Sequence, residues 1–477
     1  MKKFNIISLF VLLVGLASCN KNFEEINTNP NGLSSVEPGN LLAPAIKKSV
    51  EYGMSRAQRV TNELMQVSVN MGDGDGRIFR YEIRANEADY LWNNLYLQLN
   101  NFRDIYNLAE KTGDKTNMGI SLICQAWLYS ILTDTYGDIP FKNSLQGVNN
   151  NVTPEFDEQK DIYIGISQAL DSANVYLRGA ANIASTTDPI YKGTASLWRK
   201  FGNSLHLRLL LRVAHKSELN AKNKIKQMVD TSPNDFPIIA NNEESAILRW
   251  TGNSPYISPF ATWRPGDWYG PKLASFFVDN LNEWSDPRIT KWASLYDGEY
   301  AGVPSGYPIG TNPQGKSALL TSLMSEPLLG NILNYSELQF ILAEAAVKGY
   351  IDKSAQTYYE RGTRSAIELW GLTVPTNYLT GEHVVWDESS DLAHKMKLIH
   401  QQKYYSLFFT DMQSWIEYRR TGLPELPILS GHLNNGKMPA RLNYPVYVQS
   451  ANKTNYNQAV ARQGEDDINT LVWWQKP

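Results

Sequence analysis

The amino-acid sequence predicts a mostly α-helical protein interrupted by one irregular, aromatic-rich insert, and three observations lead there. Apolar residues recur at three- and four-residue steps over long stretches between residues 92 and 214 and again between 338 and 420. Those stretches end at glycine and proline stops such as Gly137-Asp138-Ile139-Pro140. From about 241 to 314 the periodicity fragments, Pro and Gly become frequent, and aromatic residues crowd together.

The N-terminus reads as targeting sequence. Met1-Lys2-Lys3 is a short positive segment, and Ile6 to Ala17 is an apolar run too short to span a bilayer, which needs about 20 residues. It leads into Leu16-Ala17-Ser18-Cys19, where small residues precede a thiol able to accept lipid. This resembles a bacterial lipobox. The resemblance implies that residues 1–18 are a lipoprotein signal peptide. Cys19 would then be the lipid-attachment residue, bearing a diacylglyceryl thioether and an acylated amine with palmitate-type chains. Residues 19–40, rich in Asn, Pro, Gly and Ser, read as a tether. A single folded domain is expected from about Leu41 to Pro477.

Within that domain, Trp92, Leu95, Tyr96, Leu99, Phe102 and Tyr106 form one stripe on a helix ending near Gly113. Gly119 to Tyr136 is apolar on nearly all sides, which predicts a central helix. Asp161 to Leu177 and Ser196 to Ala214 complete a run of helical hairpins without a fixed repeat length. The insert holds Trp250, Trp263, Trp268, Trp284 and Trp292. Helices resume over Leu338–Gly349 and Ala355–Leu369, where Gly362 predicts a close helix approach, and Glu344 with Arg364 reads as a buried helix-to-helix ion pair against the alternative of ligand contacts. A further helix is expected from Leu392 to Arg420, followed by a loop-like tail from Arg441.

Composition narrows the function. With 45 basic and 48 acidic residues the formal net charge is −3, which offers no electrostatic attraction to nucleic acid. The chain has two cysteines, and once Cys19 carries lipid only Cys124 remains, in an apolar helix, so no internal disulfide is possible. Aromatic residues make up 11% of the chain, enough to furnish both a core and flat binding platforms.

Several motifs point nowhere. Gly310 to Ser317 satisfies the phosphate-loop pattern, but Val303-Pro304-Ser305-Gly306-Tyr307-Pro308 ahead of it cannot be the buried strand that pattern needs. Asp73-Gly74-Asp75-Gly76 opens like a calcium loop, yet the fifth and twelfth positions are Arg77 and Arg84, so Asp73 and Asp75 stand only as a weak calcium candidate against a solvated turn. No His pair lies one helical turn apart, so no zinc site is expected. Glu283, Asp286, Asp297 and Glu299 in the insert are the acids a glycoside hydrolase would draw on, against the plainer reading of surface carboxylates. No cofactor is expected.

Taken together, the lipobox, Asn22-Phe23-Glu24-Glu25-Ile26-Asn27-Thr28-Asn29-Pro30, Tyr136-Gly137-Asp138-Ile139-Pro140, Asn334-Tyr335-Ser336-Glu337-Leu338-Gln339-Phe340-Ile341-Leu342-Ala343-Glu344-Ala345 and the ending Asn455-Tyr456-Asn457 through Ala461-Arg462-Gln463-Gly464 resemble the SusD/RagB family, in this order from Cys19 to the end. The resemblance implies a tetratricopeptide-like helix-pair scaffold in a surface-exposed outer-membrane lipoprotein of the Bacteroidetes. It further implies a non-enzymatic nutrient-binding role, with capture of an oligosaccharide or a peptide. The implied partner is a SusC-like TonB-dependent transporter barrel. It carries over no binding residues, because the family's ligand sites vary.

Two stretches match the ligand surface of relatives in position. Trp263, Arg264, Asp267, Trp268 and Tyr269 flank Pro265-Gly266, which predicts a turn presenting rings for sugar stacking beside hydrogen-bonding groups. The second is the glycine-rich loop from Gly72 leading to Phe79, Arg80 and Tyr81. For any one of these aromatics, core packing is the competing reading.

Overall fold

In a computed structural model, which describes residues 37–72, 77–147 and 150–477, the first helix starts at Pro38, inside the stretch read as tether. The longer helices are α1 (Pro38–Arg56), α2 (Glu87–Thr112), α3 (Lys115–Tyr136), α4 (Gln159–Tyr176), α5 (Ala195–Arg212), α6 (Ser275–Glu283), α7 (Tyr335–Val347), α8 (Ala355–Glu368), α9 (Leu392–Ser406), α10 (Gln413–Thr421) and α11 (Lys453–Gln463). The lipobox, Cys19, most of the tether, Asp73 and Asp75 lie outside the described residues.

The helix pairs follow from the apolar stripes. α1 packs on α2, α2 on α3, and α3 on α4 and α5, while α7 joins α5, α8 and α9. The structure is mostly helical, built from the helix pairs expected. α3 is central: Ile120, Ile123, Trp127, Leu128, Ile131 and Leu132 are all buried, each contributing about 1.5–3 kcal/mol by leaving water. Asp114 caps its first turn by accepting the Asn117 N–H at 3.0 Å. Gly137 ends it with φ 85°, a position where a Cβ would lie 1.7 Å from the Gln463 Oε1. That same oxygen accepts the Asp138 N–H at 2.7 Å, so α11 is tied to the end of α3.

Gly362 does admit a close crossing, since a Cβ there would meet the Phe340 ring at 2.9–3.1 Å. Glu344 is buried in an ion pair, but its partner is Arg420, with two contacts of 2.6 Å, while Arg364 is exposed. Sequence spacing identified the face of α7 and could not say which arginine tertiary packing would bring to it.

Three further expectations are corrected. The helix expected over Leu392–Arg420 is two helices, broken at residues 407–412, where Phe409 and Asp411 take positive φ angles of 60° and 31°. The break lets Phe409 stack against Trp268 in the insert, with ring centroids 5.9 Å apart. The tail contains helices Val446–Ala451 and α11, which show no apolar stripe because α11 buries only Ala459 and Gln463. Pro265–Tyr269 is a single helical turn opened by proline, whose fixed φ suits the first helical position.

The insert is irregular, as expected, and two short ladders hold it. β1 (Ser68–Val69) pairs antiparallel with β3 (Lys272–Leu273), and β2 (Ala246–Ile247) with β4 (Asn331–Leu333). No described helix is long and apolar enough to cross a membrane.

Candidate functional site

The β1–β3 ladder brings the two stretches singled out in the sequence to one place. Ser68 faces Leu273 and Val69 faces Lys272, and the Ala274 N–H donates to the Val67 carbonyl at 2.9 Å. Between them opens a cleft of about 700 Å3, within the range typical of ligand pockets. One wall is Trp263, Gly266, Asp267, Gly270 and Pro271; the other comes from the end of α1 and the turns after it, from Asn70, Met71, Arg77 and Ile78, and from Arg84, Asn86 and Glu87.

The α1 wall depends on a local departure from α-helix. Residues Ala57–Thr61 form a π turn, succeeded by a last helical turn at Asn62–Leu64. A π turn inserts one residue into the register, rotating the residues beyond it by about 100° relative to a continuous helix. Ser55 and Arg56 before the turn, Gln58 and Arg59 within it and Glu63 beyond it all line the cleft.

Its charges are interlocked. Glu87 bridges Arg56 at 2.9 Å and Arg59 at 3.3 Å, while Arg56 also sits 4.2 Å from the Tyr90 ring centre. Burial lowers the Arg56 pKa, a shift the Glu87 charge opposes. Glu63 is buried, and burial, opposed by the Phe79 N–H and the charges of Arg77 and Arg59, pushes its carboxyl up to about 7.

The candidate residues divide sharply. Trp263 and Asp267 line the cleft. Trp263 is half-buried, held edge-to-face against Phe260 at 5.0 Å. Arg264 is 86% exposed and forks onto Asp267 at 2.9 and 3.2 Å, and Tyr269 is 46% exposed; neither lines the cleft. Trp268 is buried, donating its indole N–H to the Leu320 carbonyl at 2.9 Å.

Phe79, Arg80 and Tyr81 are buried as well. The Arg80 guanidinium lies 4.9 Å from the Phe79 ring and 4.6 Å from the Tyr307 ring, and its Nε donates to the Tyr307 carbonyl at 3.2 Å. Tyr81 packs against His432 with centroids 4.6 Å apart. Trp268, Phe79, Arg80 and Tyr81 are buried and off the cleft lining, set in or just after a helical turn and a one-turn 3-10 helix. Arg56, Arg59, Glu63 and Glu87 went unnoticed in the sequence. The signal was there as a polar run, Arg56-Ala57-Gln58-Arg59 and Asn62-Glu63, interrupting a helical stripe.

Other groupings hold no site chemistry. Among the described residues Glu344, His400 and Glu417 bring ligand-type atoms within 4.8 Å of one another. Arg420 occupies that space, bridging Glu344 and Glu417, and Lys403 pairs with Glu417 at 2.7 Å. Asp286 is buried against Arg288, Glu283 pairs with His383 at 3.0 Å, and Asp297 sits in a tight turn that Tyr296 and Glu299 close, so the insert's acids do not converge. Residues 310–317 lead into no helix, which removes the phosphate-loop geometry.

The helix-pair scaffold thus presents a polar cleft with Trp263 on one wall. A family model of SusD-like proteins, described as starch-binding and associating with the outer membrane, matches residues 30–445. The chain belongs to the SusD-like family. It is similar to a SusD homolog from Bacteroides fragilis, with 25% identity, a TM-score of 0.80, 93% of this chain and 100% of that one covered. A SusD homolog from Bacteroides uniformis gives 24% identity, a TM-score of 0.80, and 92% and 99% coverage. A chitin-binding SusD homolog from Flavobacterium johnsoniae gives 23% identity, a TM-score of 0.80, and 92% and 98% coverage. No curated protein sequence matches the chain.

Proposed function

We propose that this protein is a cell-surface lipoprotein, anchored through Cys19, that captures an oligosaccharide in the cleft between α1 and the insert and delivers it to a SusC-like TonB-dependent transporter barrel. The observation that carries the reading is the cleft itself. Trp263 offers a ring face for the C–H surface of a sugar, and Arg59 and Asp267 stand by for its hydroxyls. Membership of a family described as starch-binding and a chitin-binding relative of similar fold support a glycan as cargo. The acyl chains expected on Cys19 would make the anchor effectively permanent, since stable anchoring takes two chains. The body from about residue 41 acts as one domain, and capture involves no bond cleavage: polysaccharide incubated with the protein stays intact.

Calorimetry with a panel of starch, chitin and xylan hexasaccharides tests the reading. At least one binds, and Trp263→Ala weakens it about tenfold, the loss of about 1.4 kcal/mol of stacking. Binding by none of the panel, or binding indifferent to Trp263→Ala, removes the assignment. A second reading, capture of a peptide, is favoured by the two signs of charge on the walls, Arg59 and Arg84 with Glu87 and Asp267. Binding of a mixed-charge peptide library in place of every glycan decides for it.

A further inference from the structure

Glu63 is a buried cleft-lining carboxyl whose chemistry the capture of a glycan on Trp263, Arg59 and Asp267 leaves unused. It sits in the helical turn just after the π turn, with 9% of its surface exposed, and it lines the cleft. Its Oε2 accepts the Phe79 backbone N–H at 3.1 Å. Among the described residues no cation comes within ion-pair distance of it, unlike Glu344, Glu417, Glu337 and Asp134, which each hold an arginine. A buried carboxyl with one donor is incompletely paired, and it has two ways to relieve this: keep its proton, or ionise once further donors arrive.

We propose that Glu63 is the ligand-binding carboxyl at the base of the cleft, that it accepts hydroxyl donors from the captured glycan in its ionised form, and that capture therefore releases a proton to solvent. The inference rests on the glycan reading of the cleft. Vicinal hydroxyls of a sugar ring supply two donors to one carboxylate, and O–H···O⁻ bonds are about twice as strong as neutral ones. Glu344, Glu417, Glu337 and Asp134 are paired in advance with arginines, whereas Glu63 lines the cleft with a single backbone donor.

The charges around it fit this use. Arg59 on the same helical run and Arg77 across the rim both favour the ionised form, Glu87 at the head of α2 opposes it, and burial exceeds them, so the free carboxyl sits at about 7. Arg84 and Asp267 complete the charged lining. Donors from a glycan lower that value in the complex. The proton is then lost on binding in the window between the two values. Affinity is lowest below the bound-state value, rises with pH through the window, and levels off above about 7. A bound value one unit lower gives about a tenfold rise.

The test uses the full chain and two probes, chitohexaose and maltohexaose, titrated by calorimetry between about pH 5.5 and 8. At about pH 6.5 the titration is repeated in phosphate and in imidazole, whose ionisation heats differ. We expect net proton release and about a tenfold gain in affinity across the range. Glu63→Gln should flatten the profile and weaken binding about tenfold at the alkaline end, with a thermal midpoint equal to or above that of the parent, because a buried uncompensated charge is gone. Proton uptake, a flat profile in the parent, or a parent-like profile in Glu63→Gln overturns the assignment. If a probe binds in a Trp263-dependent way with a flat profile, the glycan reading stands and the role of Glu63 falls; if neither probe binds, both fall.

Discussion

Replacing Arg420 by Met should be the most informative single change to the scaffold. The guanidinium is buried and makes three short contacts, two of 2.6 Å to Glu344 and one of 2.8 Å to Glu417. Removing one partner of a buried pair costs about 3–5 kcal/mol, chiefly because the other charge stays behind. Here the survivors keep some company: Lys348 reaches Glu344 at 2.6 Å, His400 lies 3.2 Å from it, and Lys403 reaches Glu417 at 2.7 Å. That places the loss near the lower end, about 3 kcal/mol.

The pH dependence gives the sharper test. In the parent, burial alone would raise both carboxyls, but the Arg420 charge overcomes it and holds them well below the usual range. Their stabilisation is therefore present above the unfolded-state value of about 4.3 and lost only as pH falls through the depressed folded-state values. Without Arg420, burial raises Glu344, which then takes up a proton as pH falls toward 5 and sheds its penalty. The difference between parent and variant, measured by urea unfolding, should shrink by about 1–2 kcal/mol between pH 7.5 and 5. An equal difference at both pH values, or a loss under about 1 kcal/mol, would refute this account of the network.

Gly362→Ala weighs two effects: a helix gains about 1 kcal/mol from the added methyl, while the clash with the buried Phe340 ring costs about 1–3. We expect a net loss of about 1 kcal/mol in urea unfolding, and a neutral or favourable effect when the change is made in a Phe340→Leu background and compared with that single variant; a loss unchanged there would show that the ring is not the obstacle. His206 is buried against Ser167 at 2.7 Å, and burial pulls its pKa down to about 4. Because the unfolded side chain titrates near 6.5, stability should fall as pH drops from about 6.5 to 4, and His206→Gln should blunt that part of the acid transition. An identical acid profile would exclude His206 as a contributor.

Most of the helical framework was legible from residue spacing. The stripe Trp92, Leu95, Leu99, Phe102 yields α2, the all-round apolar run to Tyr136 yields α3, and Gly113 and Gly137 end them, because periodicity and chain stops act over one or two turns. The break at residues 407–412 was not legible, since the contact it permits, Phe409 on Trp268, joins residues far apart in the chain. Nor was the tail helix α11, whose register rests on Gln463 reaching the end of α3. Trp263 and Trp268 show the same limit inside one motif. They are chemically alike and five residues apart, and a single helical turn starting at Pro265 leaves one on the cleft wall and buries the other.

The sequence by itself determined most of the helices and their stops, the place of the insert and the family, because each is written in local pattern or in ordered motifs. Tertiary structure alone decided the cleft. Its walls, drawn from residues 55–71, 77–87 and 263–271, are joined by a two-residue ladder too short to leave a pattern, and the π turn at Ala57–Thr61 has no sequence mark of its own. Which arginine neutralises which buried carboxylate was settled there too, since charges carry no address until packing brings them within a few ångströms.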